Sequence, residues 1–274
     1  MIIGGKHFDT NHHVYIMGIL NVTPDSFSDG GNYNRIDRAL YRVEEMIKQG
    51  ADMIDVGGES TRPNHVKISD AEEIDRVSPI IEQIKVNFDI PVSLDSYKST
   101  VIEANLGRID LINDIWGLKY DPRMAQVIAQ SKLPCCLMHN RFDRQYIHFF
   151  DDFLSDIKET VQIAEAAGIE KDQIIIDGGV GFQKSFEQNL EVINKTNILC
   201  ELGFPVMIAS SRKSFIGYIL DRTVDNRLYG TLATTVVGVM KGASFIRVHD
   251  IEENGDVIKM TKSILEEKKW IKSK

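Results

Sequence analysis

The stretch VYIMGILNVTPDSFSDGG, residues 14–31, decides the fold. Its first seven residues, Val14 to Leu20, form an apolar run that stops at Asn21. Asn, Thr, Ser and Asp side chains follow, with one proline and a closing Gly30-Gly31, and no Lys or Arg stands between Asn21 and Asn34. Such a run reads as a buried strand that opens into a loop of hydrogen-bonding groups at its carboxyl end. Asn21, the first polar residue, is placed to give an oxygen to a hard cation. Taken alone, the loop reads equally well as a solvated turn held by Ser and Asp caps.

The same unit recurs along the chain. Short apolar runs, each ending in a polar group and followed by a helical pattern, stand at Tyr15–Leu20, Met53–Val56, Pro91–Leu94, Leu111–Ile112, Pro134–Met138, Ile174–Ile176, Val206–Ala209 and Phe245–Val248. Helical periodicity covers Arg35–Gln49, Ala71–Asn87, Asp121–Ser131, Phe150–Ala167, Phe186–Leu202, Leu228–Lys241 and Ile251–Lys269. Gly50, Gly168 and Gly203 follow three of these as helix stops. Eight strands alternating with helices imply a parallel sheet, and the strand ends from Asn21 to Arg247 recur about every 32 residues, the size of a βα unit. The pattern predicts a (β/α)8 TIM barrel forming a single domain over residues 1–274. A doubly wound open sheet is the competing fold, but no G-x-G-x-x-G follows the first strand. Ahead of the barrel, Ile2-Ile3, Gly4-Gly5 and Lys6-His7-Phe8 read as a short hairpin plugging the barrel base.

Composition narrows the function. A net charge of -8 argues against broad binding to nucleic acid or to an anionic membrane. No apolar stretch reaches the ~18 residues of a membrane span, and the amino terminus lacks a signal pattern, so a cytoplasmic protein is expected. Cys135, Cys136 and Cys200 lack metal-ligand spacing and read as buried small hydrophobes of a reducing compartment.

In a barrel of this type all strand carboxyl ends share one face, where the chemistry sits. Here they supply Asn21, Asp55 and Glu59, Asp95, Asn113 and Asp114, His139 and Arg141, Asp177, Ser211 and Lys213, and Arg247 and His249. Any one of these reads as a cap; all eight strands ending this way make a polar cup. Ser210-Ser211-Arg212-Lys213-Ser214 starts a helix, where N–H groups, hydroxyls and a lysine favour an anion. Arg247 and His249 alternate by two and share a direction. This basic side predicts a phosphorylated substrate, with Arg212 the member expected to pair with an acid instead. The opposite wall, Asp95, Asn113 and Asp177, suits a flat heterocycle with N–H donors. In Asp177-Gly178-Gly179-Val180-Gly181-Phe182, glycines permit close backbone approach and Phe182 offers a ring to cover a planar group. Gly57–Pro63 is a second candidate lid.

These motifs, in this order, resemble the dihydropteroate synthase family over nearly the whole chain. The resemblance is carried by NVTPDSFSDGG at 21–31, GGESTRP at 57–63, INDIWG at 112–117, DGGVGF at 177–182, SRKSFIG at 211–217 and RVHD at 247–250. It implies a transferase of folate biosynthesis, a sulfonamide target. That enzyme joins (7,8-dihydropterin-6-yl)methyl diphosphate to 4-aminobenzoate and releases diphosphate and 7,8-dihydropteroate in an SN1-like, Mg2+-assisted substitution. By the same resemblance Asn21 is the Mg2+ ligand, and Asp95, Asn113, Asp177 and Lys213 read the pterin. Met138 and Phe182 touch its ring, Arg247 and His249 bind the diphosphate, and Thr61, Arg62 and Ser214 lie near the aminobenzoate and diphosphate. Asp95, Lys213, Arg247 and His249 are the catalytic set it implies, and a homodimer through the later helices is expected, with Gly230, Ala233 and Gly238 permitting close packing. The sequence departs from the family's usual Asp-Pro-Gly at Asp177-Gly178-Gly179 and from a frequent Gly at Ala209. The rival readings are a pterin-binding paralogue without synthase activity and a methyltetrahydrofolate-type methyltransferase barrel, in which Asn21, Lys213, Arg247 and His249 would be idle.

Overall fold

The computed structural model describes residues 1–23, 32–60 and 66–267. Two short antiparallel strands, β1 (Ile2–Ile3) and β2 (Lys6–His7), precede eight parallel strands. These are β3 (Tyr15–Asn21), β4 (Met53–Gly57), β5 (Val92–Asp95), β6 (Leu111–Asp114), β7 (Cys135–Met138), β8 (Ile174–Asp177), β9 (Val206–Ile208) and β10 (Phe245–Val248). They close as a barrel in the order β10-β3-β4-β5-β6-β7-β8-β9. The helices between them are α1 (Asn32–Lys48), α2 (Asp70–Asn87), α3 (Ser99–Asn105), α4 (Met124–Ser131), α5 (Phe149–Ala167), α6 (Phe186–Asn194), α7 (Thr196–Cys200), α8 (Ser214–Leu220), α9 (Leu228–Met240) and α10 (Ile251–Leu265). Among the described residues no helix is long and apolar enough to cross a membrane.

The strands are apolar on both faces because both are covered. Ile54, Val56, Leu94, Ile112, Leu137, Ile176 and Ile208 point outward into a continuous layer shared with the helices. Met17, Met53, Leu111, Cys136, Ile175, Met207 and Phe245 fill the barrel interior. Ile3 and Phe8 join that inner cluster, with the Phe8 ring 6.2 Å from Phe245 and 4.5 Å from Tyr15, so the hairpin does plug the base. Register then sets the opposite end. Asn21 pairs with Gly57, Gly57 with Asp95 and Asp95 with Asn113, so residues that close successive strands stand in one row. The polar cup is thus the layer directly above the apolar plug.

Two details differ from the sequence reading. The pattern over Phe186–Leu202 is two helices, because the Thr196 hydroxyl bonds back to Val192 O and Ile193 O at 3.3 and 2.9 Å and competes with the helix ladder near Lys195. Helix α3 is too short for its period to stand out. Cys135 and Cys136 are buried and Cys200 half-buried, all three free, and burial pushes their thiols up.

Candidate active site

Arg247 organises the cup. Its Nε donates to Asp55 Oδ2 at 2.6 Å and its Nη2 to Asp95 Oδ2 at 2.6 Å. Asn113 Nδ2 donates to the same Asp55 oxygen at 3.1 Å, while Asp55 Oδ1 is buried without a partner among the described residues. The basic group therefore reaches into the acid wall rather than standing across from it. Burial pushes Asp95 up to about 7, with Asp55 adding to the shift and Arg247 opposing it. Burial works against the Arg247 cation, but Asp55 and Asp95 outweigh it and hold its pKa above the ordinary value.

Asp177 ends β8 buried and accepts the Gly179 N–H at 2.8 Å. Burial raises its carboxyl against the pull of Lys213. Lys213 lies over the Phe182 ring, 4.7 Å from its centre, and donates to Val180 O. Burial lowers Lys213 to about 8, with Asp177 resisting and Arg247 assisting. Phe182 packs with Met138, Ile115, Tyr97 and Trp116 in an apolar patch beside these charges. A flat, N–H-bearing ring would find carboxylates and an amide at its edge and apolar contacts at its face.

His249 lies just past β10, with its Nδ1 2.9 Å from Ser211 Oγ, while Ser211 also accepts the His249 N–H at 3.2 Å. Arg42 of α1 donates to His249 O at 2.8 Å. Ser214, exposed, begins α8 right after Lys213. Asn21 is exposed at the end of β3. A Cβ on Gly57 would lie 3.6 Å from Asp95 Oδ2 and 3.8 Å from Asn21 Oδ1, so the bare glycine keeps open the space between these two oxygens. Among the described residues no three His, Cys, Asp or Glu side chains gather as a metal cage. A hard cation here would take an amide oxygen from the protein and the rest from a phosphorylated ligand, which suits Mg2+. Thr61 and Arg62, and the loop of residues 24–31, lie outside the described residues.

Several strand-end residues serve the fold instead. Asp114, one residue past Asn113, faces the other way and accepts the N–H groups of Trp116 and Leu118 at 2.9 and 2.7 Å. Glu59 accepts from Lys98 at 2.6 Å and Tyr97 at 2.6 Å. Arg212 pairs with Asp250, as anticipated. His139 turns away from the cup to Asp156 Oδ2 at 2.9 Å, where Arg141 also binds at 2.5 Å. Two residues near the cup carry little signal in the sequence. Asp55 reads as one strand end among eight, and the signal that sets it apart is that a carboxylate inside MIDVG needs a buried partner. Lys184, buried behind the Asp177 loop, gave no signal in its neighbourhood.

The His139 cluster makes acid sensitivity testable. Burial and the Lys184 charge lower His139 to about 4 against the pull of Asp156. Burial alone would raise Asp156, but hydrogen bonds from His139 and Arg141 hold it well below the carboxylate range. Between about pH 6.5 and 4 the unfolded chain binds the His139 proton and the fold does not, so stability falls as pH falls across that window. Melting temperature should drop more steeply from pH 6.5 to 4 in the wild type than in H139Q; parallel curves would remove His139 as the cause.

Comparison with known proteins agrees with this geometry. The profile of the pterin binding enzymes matches residues 17–249. The dihydropteroate synthase of Clostridium beijerinckii is 53% identical over 267 residues, covering 97% of this chain and 99% of that protein. That of Bacillus subtilis is 49% identical over 251 residues, covering 91% and 88%. The Clostridium difficile dihydropteroate synthase solved in the presence of pteroic acid superposes with a TM-score of 0.92 at 45% identity, covering 94% of this chain and 99% of that one. The Yersinia pestis enzyme solved with a sulfonamide drug complex gives 0.90 at 35% identity, covering 97% and 99%.

Proposed function

This chain belongs to the pterin-binding enzymes, in the dihydropteroate synthase family, and on that premise we propose how its cup joins (7,8-dihydropterin-6-yl)methyl diphosphate to 4-aminobenzoate. The observation that carries the reading is the placement of Arg247 against both Asp55 and Asp95, on one mouth with Asp177 and Lys213. Asp177, Asn113 and Asp95 take the edge of the pterin and Lys213 its polar rim, while Met138 and Phe182 hold its face. Arg247 and His249 bind the diphosphate. The carbon–oxygen bond breaks with its electron pair going to the leaving diphosphate, whose charge Arg247 and His249 neutralise. Mg2+ held through Asn21 would supply further neutralisation of that group. The pterin methylene is left electron-poor, and Asp95 stabilises it in its carboxylate form, the form favoured above about pH 7. The aminobenzoate nitrogen then bonds to that carbon and gives its proton to water. Ser214, at the start of α8, stands near the aminobenzoate and the diphosphate, and no side-chain nucleophile is used. The chain works as one domain in the cytoplasm.

The test is direct. Purified protein given the pterin diphosphate, 4-aminobenzoate and Mg2+ should release dihydropteroate and diphosphate in equal amounts, and a sulfonamide should compete with aminobenzoate. Pterin binding with no turnover would instead favour the non-synthase paralogue.

The partner is a second copy of the chain. A Cβ on Gly230 would meet Ile216 at 2.2 Å and one on Gly238 would meet Ile208 at 3.0 Å, so these two glycines are tightly packed within the chain, while Ala233 on the same helix is exposed. The support comes from apolar side chains left outside, Tyr218 and Ile219 on α8, Tyr229 and Met240 on α9, and Met260 and Ile264 on α10, all more than half exposed. Light scattering should give twice the 31.0 kDa chain mass. A monomer throughout the micromolar range would reject the pairing.

A further inference from the structure

Behind the loop that follows β8 stands a lysine that the chemistry above does not use. Lys184 is 4% exposed. Its ammonium lies 2.8 Å from His139 Nδ1, 2.9 Å from Gly179 O and 3.1 Å from Phe182 O, with His139 O further off at 3.5 Å. An ammonium has three hydrogens, and three good acceptors surround this one. Asp156 only accepts, so His139 Nε2 carries the ring hydrogen and Nδ1 takes one from Lys184.

The acceptors come from two segments. His139 follows β7, and Gly179 and Phe182 belong to the loop after β8. That loop is pressed onto β7: a Cβ on Gly179 would lie 2.0 Å from His139 O. The His139 N–H also donates to Asp177 O at 2.9 Å. On the cup side Lys213 takes Val180 O. The loop is gripped from both faces by lysines, and only one of them faces the cup. The residues it presents there are Asp177 at one end and Phe182 at the other.

We propose that Lys184 is a positioning residue for the pterin pocket: it ties Gly179 and Phe182 to His139 and so sets where the Asp177 carboxylate and the Phe182 ring stand. The inference rests on the reading of Asp177 and Phe182 as pterin contacts. Lysine suits the task because one small cation reaches three acceptors on different segments, which a neutral side chain of similar length does not. Burial lowers its pKa to about 7, with Asp177 opposing the shift, so the tie weakens once that proton is lost. Asp156, Arg141 and Lys213 are the other charges that bear on it.

The experiment compares the wild-type protein with K184M, K184A and D177N, using pteroic acid as the binding probe and both substrates for kinetics. A pocket wall shifted by a fraction of an ångström predicts that K184M binds pteroic acid about ten- to a hundredfold more weakly. The KM for the pterin diphosphate should rise by a similar factor. The KM for aminobenzoate at saturating pterin should stay within about threefold, a split that general loss of structure would not produce. Ethylammonium should restore binding to K184A, and ethanol of the same size should not. If K184M binds pteroic acid like the wild type while D177N is weakened, the positioning role is wrong and the pocket reading stands. If D177N also binds normally, the pocket reading has failed as well. Failure of K184M and K184A to fold, with or without ethylammonium, would make Lys184 a fold residue and overturn the proposal.

Discussion

Replacing Arg247 by methionine should lower kcat/KM by about a thousandfold, in line with losing a charged donor at the site where negative charge develops. Arg247 bridges Asp55 and Asp95. Two of its five N–H donors go to these carboxylates, and the rest of the fork remains for phosphate oxygens. The substitution also leaves two buried carboxylates without their cation, which costs on the order of 3–5 kcal/mol in comparable buried pairs. Protonation relieves part of this. Asp95 already sits at about 7 with Arg247 present, and without it the pKa rises further. The stability deficit of R247M against wild type should therefore be larger at pH 8 than at pH 6, and D95N should remove most of that difference. Thermal melts at the two pH values check the sign. A kcat/KM within tenfold of wild type would show that the diphosphate is bound elsewhere.

Gly179→Ala is expected to be the most damaging change outside the charged residues. Its φ of +64° is a left-handed conformation, and the added methyl would meet the His139 carbonyl at 2.0 Å. Backbone does not swing aside as a flexible side chain would. The loop must lift off β7, carrying Phe182 and the Lys184 contacts with it. Stability should fall by about 2–3 kcal/mol and pteroic acid affinity by about a hundredfold. Gly107 is the internal control. Its φ is +83°, yet a Cβ there meets nothing within 4 Å, so G107A should show only the ~1 kcal/mol left-handed penalty and no change in binding. Equal losses in the two variants would mean that conformation, not contact with His139, sets the requirement for glycine.

The barrel was legible because its signal repeats. Eight apolar runs, each closed by a polar residue, fix the period, and parallel register does the rest by lining Asn21, Asp95 and Asn113 along one rim. Asn113 and Asp114 show where such reading stops. They are adjacent and both polar, yet strand alternation sends Asn113 to the cup and Asp114 to the loop behind it. Glu59, His139 and Arg141 looked like cup residues by position, but each is drawn off by a neighbour from a helix or loop far along the chain. Lys184 was invisible for the same reason: its meaning lies in three acceptors, one of them 45 residues upstream. The glycines of α9 mark the same limit, since small residues permit close packing without saying against what.

The central claim is that one mouth holds both a heterocycle and the charge it sheds. A crystal structure of this protein soaked with pteroic acid and diphosphate tests it most directly. The account predicts the pterin edge within hydrogen-bonding distance of Asp177 and Asn113, and diphosphate oxygens on Arg247 and His249. A pterin bound away from Asp177, or a diphosphate out of reach of Arg247, would contradict it.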